Sequence, residues 1–538
     1  MKLCLDAITK CKKEWIEKGY NLPEFDVNQV RINTFNNPKW VHFGAGNIFR
    51  AFPATVLQKL INSGIEDTGL TVVEGFDEEI IDKIYTPFDN LSLLVTLKSN
   101  GHIEKTVIAS IAEALTMNKG RDSDTERLQS IMKSDSLQML SFTITEKGYS
   151  LTDATGNFTA QILDDFEIGP EKANSYMGKV TALCYDRYKS GEKPLALVSM
   201  DNFSHNGDKL KNAVITFSEK WNERGMVEDG FLSYLNDDRK ITFPWSMIDK
   251  ITPRPDETVA KMLKSDGFED YKVIITSKNT YIAPFVNAEE PQYLVIEDEF
   301  PCGHPNLAEA GIIFTNKDTV DKVEKMKVCT CLNPLHTALA IFGCLLSYKK
   351  ISDEMDDPLL TKLVFDMGYN EGLPVVVNPV IINPEEFLKE VLEVRIPNPF
   401  MPDTPQRIAT DTSQKISIRF GETIKAYVRS KDKDVSELKL IPLVLAGWCR
   451  YLMGIDDTGN KFEVSPDPLY NDLKQYICEI KLGDDRKFSH DLQPILSNQK
   501  IFGIDLYDIG MADTICKYFA EMTVGPNAVR KTLEKYVV

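Results

Sequence analysis

Short apolar runs alternate with turns and helical spacing in the N-terminal part of the chain. The run Trp40–Phe43 enters the glycine turn Gly44-Ala-Gly46, a helical pattern over 51–62 follows, and Leu70–Glu74 is the next apolar run. A strand, a glycine turn, a helix and a second strand in this order open a dinucleotide-binding βαβ unit. Further strands are predicted at 93–97, 106–111, 139–145, 195–199 and 272–275. Strands interleaved with helices predict an α/β fold with a parallel sheet.

Long amphipathic runs dominate the chain from about residue 314 onward. They lie at 320–327, 337–349, 385–394, 438–452, 467–480 and 512–522. A chain of 538 residues also exceeds what one hydrophobic core normally supports. We therefore predict two domains. Residues 1–313 form a Rossmann-type dinucleotide-binding domain with an N-terminal extension, and residues 314–538 form a mainly α-helical substrate-binding domain.

Composition narrows the classes of partner. The net charge of −18, with no lysine- or arginine-rich run, argues against nucleic acid and anionic membranes, although a pocket can still be locally basic. No uninterrupted apolar stretch approaches the roughly 18 residues of a membrane span. The ten cysteines form no Cys-x-x-Cys pair and no array with zinc spacing, so we expect free thiols and no metal. The expectation is a cytoplasmic protein, a monomer or a weak homo-oligomer, that acts on a small molecule.

The segment 327–336 carries the most suggestive chemistry. Lys327, Asn333 and His336 are a possible base, a carboxamide donor and an orienting imidazole, which together suit proton removal from an alcohol. Asn333 and His336 share a face if they lie on one helix, and Pro334 places the start of that helix near Asn333. The alternative is a surface lysine, a cap asparagine and a core histidine, and the segment alone does not exclude it.

The glycine turn points to a dinucleotide. Gly44 permits a tight turn, and Gly46 lets backbone N–H groups approach a pyrophosphate, but Phe49 occupies the third glycine position of the usual fingerprint. An ordinary glycine-rich turn is the alternative. Glu74 and Asp77 can hold the ribose hydroxyls, which favours NAD over NADP, or can simply cap the next predicted helix at 78–85.

Polar residues elsewhere fit a ligand crevice less specifically. Asn202 follows the predicted strand 195–199, where residues of a parallel sheet line the crevice, but turns use the same residue types. Asp249 lies inside an apolar stretch, and Arg407, Lys415 and Arg419 are three cations at near-regular spacing. Solvated ion-pair faces are the alternative for these four residues.

Taken together, these pieces resemble the polyol-specific long-chain dehydrogenase/reductases, also called the mannitol dehydrogenase family. The resemblance runs the length of the chain, and its order and approximate spacing both hold. It rests on Gly44-Ala-Gly46-Asn47-Ile-Phe-Arg50, Thr143-Ile-Thr-Glu-Lys-Gly-Tyr149, Ser199-Met-Asp-Asn202, Met247-Ile-Asp-Lys-Ile-Thr-Pro253, Ile296-Glu-Asp-Glu-Phe300, Glu324-Lys-Met-Lys327 with Asn333-x-x-His336, and Arg407-Ile-Ala-x-Asp-x-Ser-x-Lys415-Ile.

The resemblance implies a role for each matched residue. Lys327 resembles the general acid/base, Asn202 and Asn333 the carboxamide pair that binds the reacting oxygen, and His336 the histidine that positions the substrate. Glu324 corresponds to the carboxylate associated with proton exchange at the lysine. The resemblance also implies that Asp249, Arg407 and Lys415 contact substrate hydroxyls and that the glycine turn contacts the cofactor NAD (Gly44, Gly46, Asn47, Arg50). Glu74 and Asp77, assigned above to the ribose hydroxyls, complete the expected cofactor site.

One spacing departs from the family pattern. The family has Lys-x-x-x-x-Asn-x-x-His, whereas one extra residue separates Lys327 from Asn333. Glu324 keeps its three-residue offset from Lys327, which favours Lys327 as the base with a bulge beyond it. The alternative is a base supplied from elsewhere.

The resemblance implies an NAD-dependent, metal-independent oxidoreductase that interconverts a secondary alcohol and a ketone on an open-chain sugar acid. D-Mannonate and D-fructuronate are the expected pair, because the chain is longer than typical mannitol dehydrogenases and its Cys-Thr-Cys-Leu-Asn-Pro-Leu-His segment is similar to sequences of the mannonate-oxidising type. Mannitol 2-dehydrogenase and tagaturonate reductase activities are alternatives. A non-catalytic nucleotide-binding protein is the alternative from another class.

Overall fold

The chain divides into two compact units. The computed structural model describes residues 1–117, 120–153, 155–484 and 486–537. Unit 1 spans Met1–Asp321 and unit 2 spans Lys322–Val538. The division therefore falls within helix Lys317–Met326, a few residues beyond the predicted boundary between 313 and 314.

A six-stranded parallel sheet forms the framework of unit 1. Its strands are Trp40–Phe43 (β1), Leu70–Glu74 (β2), Ile111–Thr116 (β3), Met139–Phe142 (β4), Leu195–Ser199 (β5) and Ile241–Thr242 (β6). They are ordered β3-β2-β1-β4-β5-β6, and each neighbouring pair is parallel. The strand order reverses between β1 and β4, as in the doubly wound dinucleotide-binding fold. The predicted α/β, Rossmann-type class is thus confirmed.

Apolar cores cover both faces of this sheet. Along β5, Ala196 and Val198 belong to one core, and Leu195 and Leu197 belong to the other. Successive side chains of a strand point to opposite faces, so a strand buried on both sides is apolar throughout. This explains why these strands appear in the sequence as continuous apolar runs.

The other elements of unit 1 surround the sheet. Its remaining strands are Tyr20–Asn21, Ser92–Leu97, Ile103–Ile108, Ser246–Asp249, Ile274–Ile275, Tyr281–Ile282, Phe285–Glu289, Tyr293–Glu297 and Ile313–Thr315. Its α-helices are Leu5–Lys10, Lys12–Glu17, Val27–Asn36, Asn47–Ala51, Pro53–Asn62, Asp122–Met132, Thr145–Gly148, Ala160–Ile168, Tyr176–Lys189, Asn206–Glu223, Asp229–Leu235 and Glu257–Ser265, and Lys317–Met326 begins in this unit.

Two predicted strands were wrong in detail. Strand Ser92–Leu97 lies outside the parallel sheet, antiparallel to Ile103–Ile108 and parallel to Phe285–Glu289. The predicted strand 106–111 is not continuous, because strand Ile103–Ile108 ends within it and β3 begins only at Ile111. Between them, the Ala109 N–H donates to Gln58 Oε1 at 2.6 Å, so a helix side chain replaces the ladder bond at this corner.

The predicted helix 51–62 and strand 272–275 also differ from the structure. The helix is interrupted at Phe52, whose φ of −126° and ψ of −72° are non-helical, and Pro53 begins the next helix. The strand shortens to Ile274–Ile275, paired with Tyr281–Ile282 in a small hairpin. Residues 81–85 form a π-turn within the helix predicted at 78–85.

Unit 2 is helical, as predicted. Its α-helices after Lys317–Met326 are Asn333–Leu345, Ile351–Glu354, Pro358–Asp366, Pro384–Glu390, Pro405–Ile408, Glu422–Arg429, Leu440–Tyr451, Tyr470–Ile477, Ser489–Leu496, Gln499–Phe502, Ala512–Thr523 and Ala528–Tyr536. Between them lie the π-turns Lys327–Cys331, Met367–Gly372, Val391–Arg395 and Ser417–Gly421.

The stretch Lys317–Leu345 has the length and apolar composition of a membrane-spanning helix. In the structure, 83% of its most apolar window is buried inside the protein. Core helices of globular domains share this composition, so we describe the stretch as a core helix.

A buried carboxyl group lies behind the core helix of unit 2. The Glu354 side chain is fully buried, and neither of its oxygens has a hydrogen-bond partner among the described residues. A Cβ added at Gly343 would come within 2.0 Å of Glu354 Oε1, so the glycine provides the space for it. Burial, and to a smaller extent the nearby Asp353 and Asp357, raise the pKa of Glu354 to about 10. The group is therefore protonated at neutral pH.

This group predicts a pH-dependent contribution to stability. At a pH between 4.5, the ordinary pKa of this group, and about 10, Glu354 keeps its proton in the folded protein but loses it in the unfolded chain. Its contribution to the free energy of unfolding is therefore present at low pH and is lost as the pH rises. As the pH rises, the free energy of unfolding of Glu354→Gln should increasingly exceed that of the wild type, by about 1.4 kcal/mol per pH unit. Urea unfolding at pH 6, 7 and 8 measures the difference. Glu534→Gln, at an exposed glutamate, is the control, and a difference that does not change with pH contradicts the prediction.

Candidate active site

The turn after β1 requires glycine at position 44. Gly44 has φ +104°, and a Cβ there would lie 2.3 Å from the carbonyl oxygen of Thr143, the residue after β4. The Gly44 N–H donates to the Val73 carbonyl of β2 at 2.9 Å. The turn is therefore fixed between its two neighbouring strands, at the point where the strand order reverses.

Position 46 has a different reason for being glycine than position 44. Its φ of −77° suits any residue, and a Cβ there would meet nothing within 4 Å. Neither backbone strain nor packing within the protein calls for glycine here. The open space above Gly46, directly before helix Asn47–Ala51, is what close approach of a pyrophosphate to the backbone needs. This turn therefore fits a dinucleotide.

Glu74 holds the backbone of the turn. Its Oε2 accepts the Ala45 N–H at 2.8 Å, and its Oε1 accepts the N–H groups of Gly75, Phe76 and Asp77 at 2.8–3.1 Å. Asp77 is buried and accepts the Thr276 hydroxyl at 2.6 Å. Glu74 thus stabilises the backbone around the turn, and Asp77 is joined to Thr276, so neither of these contacts is to the helix predicted at 78–85. The contacts of both carboxylates with the ribose hydroxyls stay a prediction.

Arg50 also stabilises the turn, through hydrogen bonds inside the protein. Its guanidinium is 1% exposed and donates to the Ala283 carbonyl at 2.7 Å and to Asn47 Oδ1 at 2.8 Å. The direct contact of Arg50 with the cofactor stays a prediction. Asn47 is half-buried and its side-chain oxygen is occupied by Arg50. A buried arginine clamps the first helical turn after Gly46 to a distant segment.

Asn202 lies at the carboxyl end of β5, as predicted, and is exposed. Two residues that the sequence did not single out hold its loop in place. Asp201 accepts the N–H groups of Ile144 and Thr145, at 2.8 and 3.0 Å, and the Tyr149 hydroxyl at 2.7 Å. Asn206 is buried and donates to the carbonyls of Ser199, Asp201 and Ser246 at 2.9–3.2 Å.

Asp249 is connected to the Asn202 loop through the strand that carries it. Strand Ser246–Asp249 pairs antiparallel with Tyr293–Glu297, and Asp249 is its buried last residue. The Ser246 N–H donates to Asn206 Oδ1 at 3.0 Å, so Asn206 joins the start of this strand to the loop after β5. Asp and Asn side chains in a turn gave too little signal for this role to be predicted.

In unit 2, a π-turn absorbs the extra residue between Lys327 and Asn333. Helix Lys317–Met326 continues into the π-turn Lys327–Cys331, in which the Leu332 N–H donates to the Lys327 carbonyl five residues back, at 3.1 Å. A π-turn contains one residue more than the α-helical turn it replaces, and such turns are frequent at functional sites. The bulge expected beyond Lys327 is therefore present, and it is helical.

The helix predicted from Pro334 begins where expected. Helix Asn333–Leu345 has Pro334 in its first turn. Asn333 and His336 are half-buried on one side of that turn, while Pro334, Leu335 and Thr337 are buried. Lys327 is 3% exposed, and Glu324 is half-buried one turn before it. Lys327 is therefore not the surface lysine of the alternative interpretation.

Three arginines act electrostatically on His336: Arg395, Arg407 and Arg419. Lys415 lies near Arg419, and we call these four basic residues the cationic cluster. Asp403 Oδ2 lies 3.5 Å from His336 Nε2, and the same carboxylate pairs with Arg407. Lys415 donates to the Thr410 carbonyl at 2.6 Å, and Arg419 donates to the Thr337 hydroxyl at 2.5 Å. Sequence reasoning did not name Arg395, which is buried at the end of the π-turn Val391–Arg395.

Burial and the three arginines of the cationic cluster keep His336 neutral. Burial, and then Arg419, Arg407 and Arg395, lower the pKa of His336 from 6.5 to about 3. Burial, and then Arg419, also lower the pKa of Lys415. His336 is thus a neutral imidazole at physiological pH, able to donate one hydrogen bond and accept another.

Comparisons with known proteins agree with this architecture. The Rossmann domain model of mannitol dehydrogenase matches residues 38–309, and the C-terminal domain model matches residues 319–522. The chain belongs to the mannitol dehydrogenase family of oxidoreductases.

Individual relatives add detail. The chain is 55% identical to the D-mannonate oxidoreductase of Thermotoga maritima, covering 100% of this chain and 99% of that protein. It is 27% identical to the mannitol 2-dehydrogenase of Aspergillus clavatus, covering 92% of each. Among solved structures, mannitol 2-dehydrogenase from Pseudomonas fluorescens, in complex with NAD and D-mannitol, shares the fold with a TM-score of 0.71, 23% identity and 99% coverage of both chains.

Proposed function

We propose that this protein is an NAD-dependent oxidoreductase that interconverts D-mannonate and D-fructuronate, with Lys327 as the general acid/base. The observation that carries the proposal is the 55% identity to a D-mannonate oxidoreductase over the whole chain, against 27% to a mannitol 2-dehydrogenase. The cationic cluster supports a sugar acid as substrate, because it provides positive charge in a protein whose net charge is −18.

The state of His336 supports the assignment of the proton to Lys327. A histidine with a pKa of about 3 is neutral at pH 7 and cannot donate a proton as an imidazolium. The buried Lys327 is the group of the segment that can carry the proton, because its ammonium can donate one and the resulting amine can take it back. In ketone reduction Lys327 gives its proton to the oxygen of the carbonyl, and in alcohol oxidation it takes the proton back.

The remaining residues bind and orient. In the proposed mechanism, the carboxamides of Asn202 and Asn333 donate to the reacting oxygen, stabilising negative charge as it develops there. Neutral His336 accepts from, or donates to, a substrate hydroxyl and so fixes the sugar chain. Asp249, Arg407 and Lys415 bind further hydroxyls, and Glu324 assists proton exchange at Lys327.

NAD fits the turn of unit 1. Gly44 sets the bend, the open space above Gly46 admits the pyrophosphate, and Glu74 keeps the Ala45 N–H and the following loop in position. The nicotinamide, when bound, supplies the hydride acceptor or donor. The protein supplies the alignment and the proton.

A substrate panel tests the proposal. We expect NADH oxidation with D-fructuronate to exceed that with D-fructose by at least about 100-fold in kcat/KM, the scale that a missing charged contact can set. D-Fructuronate should also be preferred over D-tagaturonate, which keeps the carboxylate and differs in the configuration of a hydroxyl group. Product analysis should give D-mannonate.

Other outcomes would redirect the assignment. A preference for D-fructose would make the protein a mannitol 2-dehydrogenase, and a preference for D-tagaturonate would make it a tagaturonate reductase. NADH binding without turnover on any of the three would favour the non-catalytic nucleotide-binding alternative.

A further inference from the structure

Arg419 differs from Arg407 of the same cluster in having no paired carboxylate among the described residues. Its Nη1 donates to the Thr337 hydroxyl at 2.5 Å, and no ion pair of the residues that the structure describes includes it. Arg407, by contrast, pairs with Asp403. The Arg419 side chain is largely buried, and burial alone lowers its pKa to about 10.

A largely buried guanidinium with one hydroxyl partner is costly in the free protein. Removing a cation from water is compensated only when an anion or several acceptors replace the water. The Thr337 hydroxyl is a single neutral acceptor, and the nearby carboxylate of Asp403 is already shared between Arg407 and His336. An anion that arrives with the substrate would supply the missing charge.

The position of Arg419 places this charge beside the predicted chemistry of unit 2. It lies in the π-turn Ser417–Gly421, which packs against the π-turn Lys327–Cys331. Its bond to Thr337 ties it to the helix that begins with Asn333 and includes His336. π-Turns are rare and frequent at functional sites, and here two of them are in contact, each with a buried or half-buried cation.

We propose that Arg419 binds the carboxylate of the substrate and thereby selects an open-chain sugar acid over the matching uncharged sugar. The inference rests on the proposed function. Arginine is suited to this task because its planar guanidinium can present two parallel N–H groups to one carboxylate. D-Fructuronate and D-fructose differ only at carbon 6, a carboxylate in one and a hydroxymethyl group in the other, so they isolate this contact.

The test compares Arg419→Gln with the wild type on both ketoses. Glutamine keeps an amide N–H for Thr337 and removes the charge. We expect kcat/KM for D-fructuronate to fall about 100-fold, mainly through KM, as for loss of a charge-assisted pair. Activity on D-fructose should change less than about twofold. NADH oxidation at 340 nm under initial-rate conditions measures both.

Two controls separate charge recognition from support of the fold. Arg429→Gln removes the same charge from an exposed arginine of helix Glu422–Arg429 and should leave both activities unchanged. Thr337→Val removes the hydroxyl that Arg419 contacts but keeps the guanidinium, so it should retain the preference for D-fructuronate.

The outcomes distinguish this inference from the proposed function. If the wild type does not prefer D-fructuronate, the proposed function fails, and the inference fails with it. If the wild type prefers D-fructuronate but Arg419→Gln keeps that preference, or loses both activities to the same extent, only the role of Arg419 is overturned.

Discussion

Replacing Lys327 by methionine should lower kcat by roughly 10³-fold or more while NADH binds with unchanged affinity. General acid–base catalysis contributes about 10²–10⁴-fold, and neutral His336 cannot take over the proton at pH 7. Methionine retains the apolar stem that this buried site requires, so the fold should persist. Initial rates with D-fructuronate and NADH fluorescence titration measure the two quantities.

Two further variants make the Lys327 result specific. Lys325→Met changes an exposed lysine two residues earlier, in the helix that leads into the π-turn, and should leave kcat within about twofold of the wild type. Lys327→Ala leaves space in which an added primary amine can substitute for the missing ammonium, so methylamine should restore part of the rate. Wild-type turnover by Lys327→Met would end the assignment of Lys327 as the acid/base.

The two glycines of the β1 turn should fail in different ways when each is replaced by alanine. Gly44→Ala puts a Cβ 2.3 Å from the Thr143 carbonyl oxygen at a φ of +104°, so the free protein should lose roughly 3 kcal/mol or more of unfolding free energy. Gly46→Ala adds its Cβ to open space at an ordinary φ, so the stability of the free protein should change by less than about 0.5 kcal/mol.

Cofactor binding provides the second half of this comparison. The Gly46 Cβ would occupy the space assigned to the pyrophosphate, so NADH affinity should fall by at least about 50-fold although the fold is intact. Denaturant unfolding without nucleotide and NADH titration measure the two effects. Normal NADH affinity in a folded Gly46→Ala protein would remove the pyrophosphate from this turn, and an undamaged Gly44→Ala protein would contradict the geometry of the turn.

Local sequence signals were sufficient to predict part of this molecule. The opening strand, turn and helix pattern identified the parallel sheet, because strands buried on both faces are continuous apolar runs. Pro334 fixed the start of the helix at Asn333, since proline is accepted in the first helical turn and little further. β6, with two residues, is too short to produce a periodic signal.

Long-range partners account for what sequence could not predict in the candidate site. Arg50 was expected at the cofactor, but its main acceptor is the carbonyl of Ala283, 233 residues away. Glu74 accepts a hydrogen bond from the backbone N–H of Ala45, which belongs to a different loop. Arg395 lies beside a predicted helix, and its place near His336 follows only from how the helices of unit 2 pack. Spacing along the chain contains none of this information.

The π-turn at Lys327–Cys331 gives a different meaning to length variation at this point in the family. An inserted residue usually lengthens a surface loop and leaves the flanking elements in register. Here the additional residue is taken up inside a helical turn, so the side chains after it keep their direction relative to Lys327. Six residue steps through a π-turn cover about the same angle as five steps of α-helix, which is the spacing of the family. Removing Val328 would therefore convert the π-turn into an α-helical turn and leave Asn333 and His336 facing nearly the same way. The insertion changes the length of the segment but leaves the angle between the proposed proton donor and the residues that hold the substrate nearly unchanged.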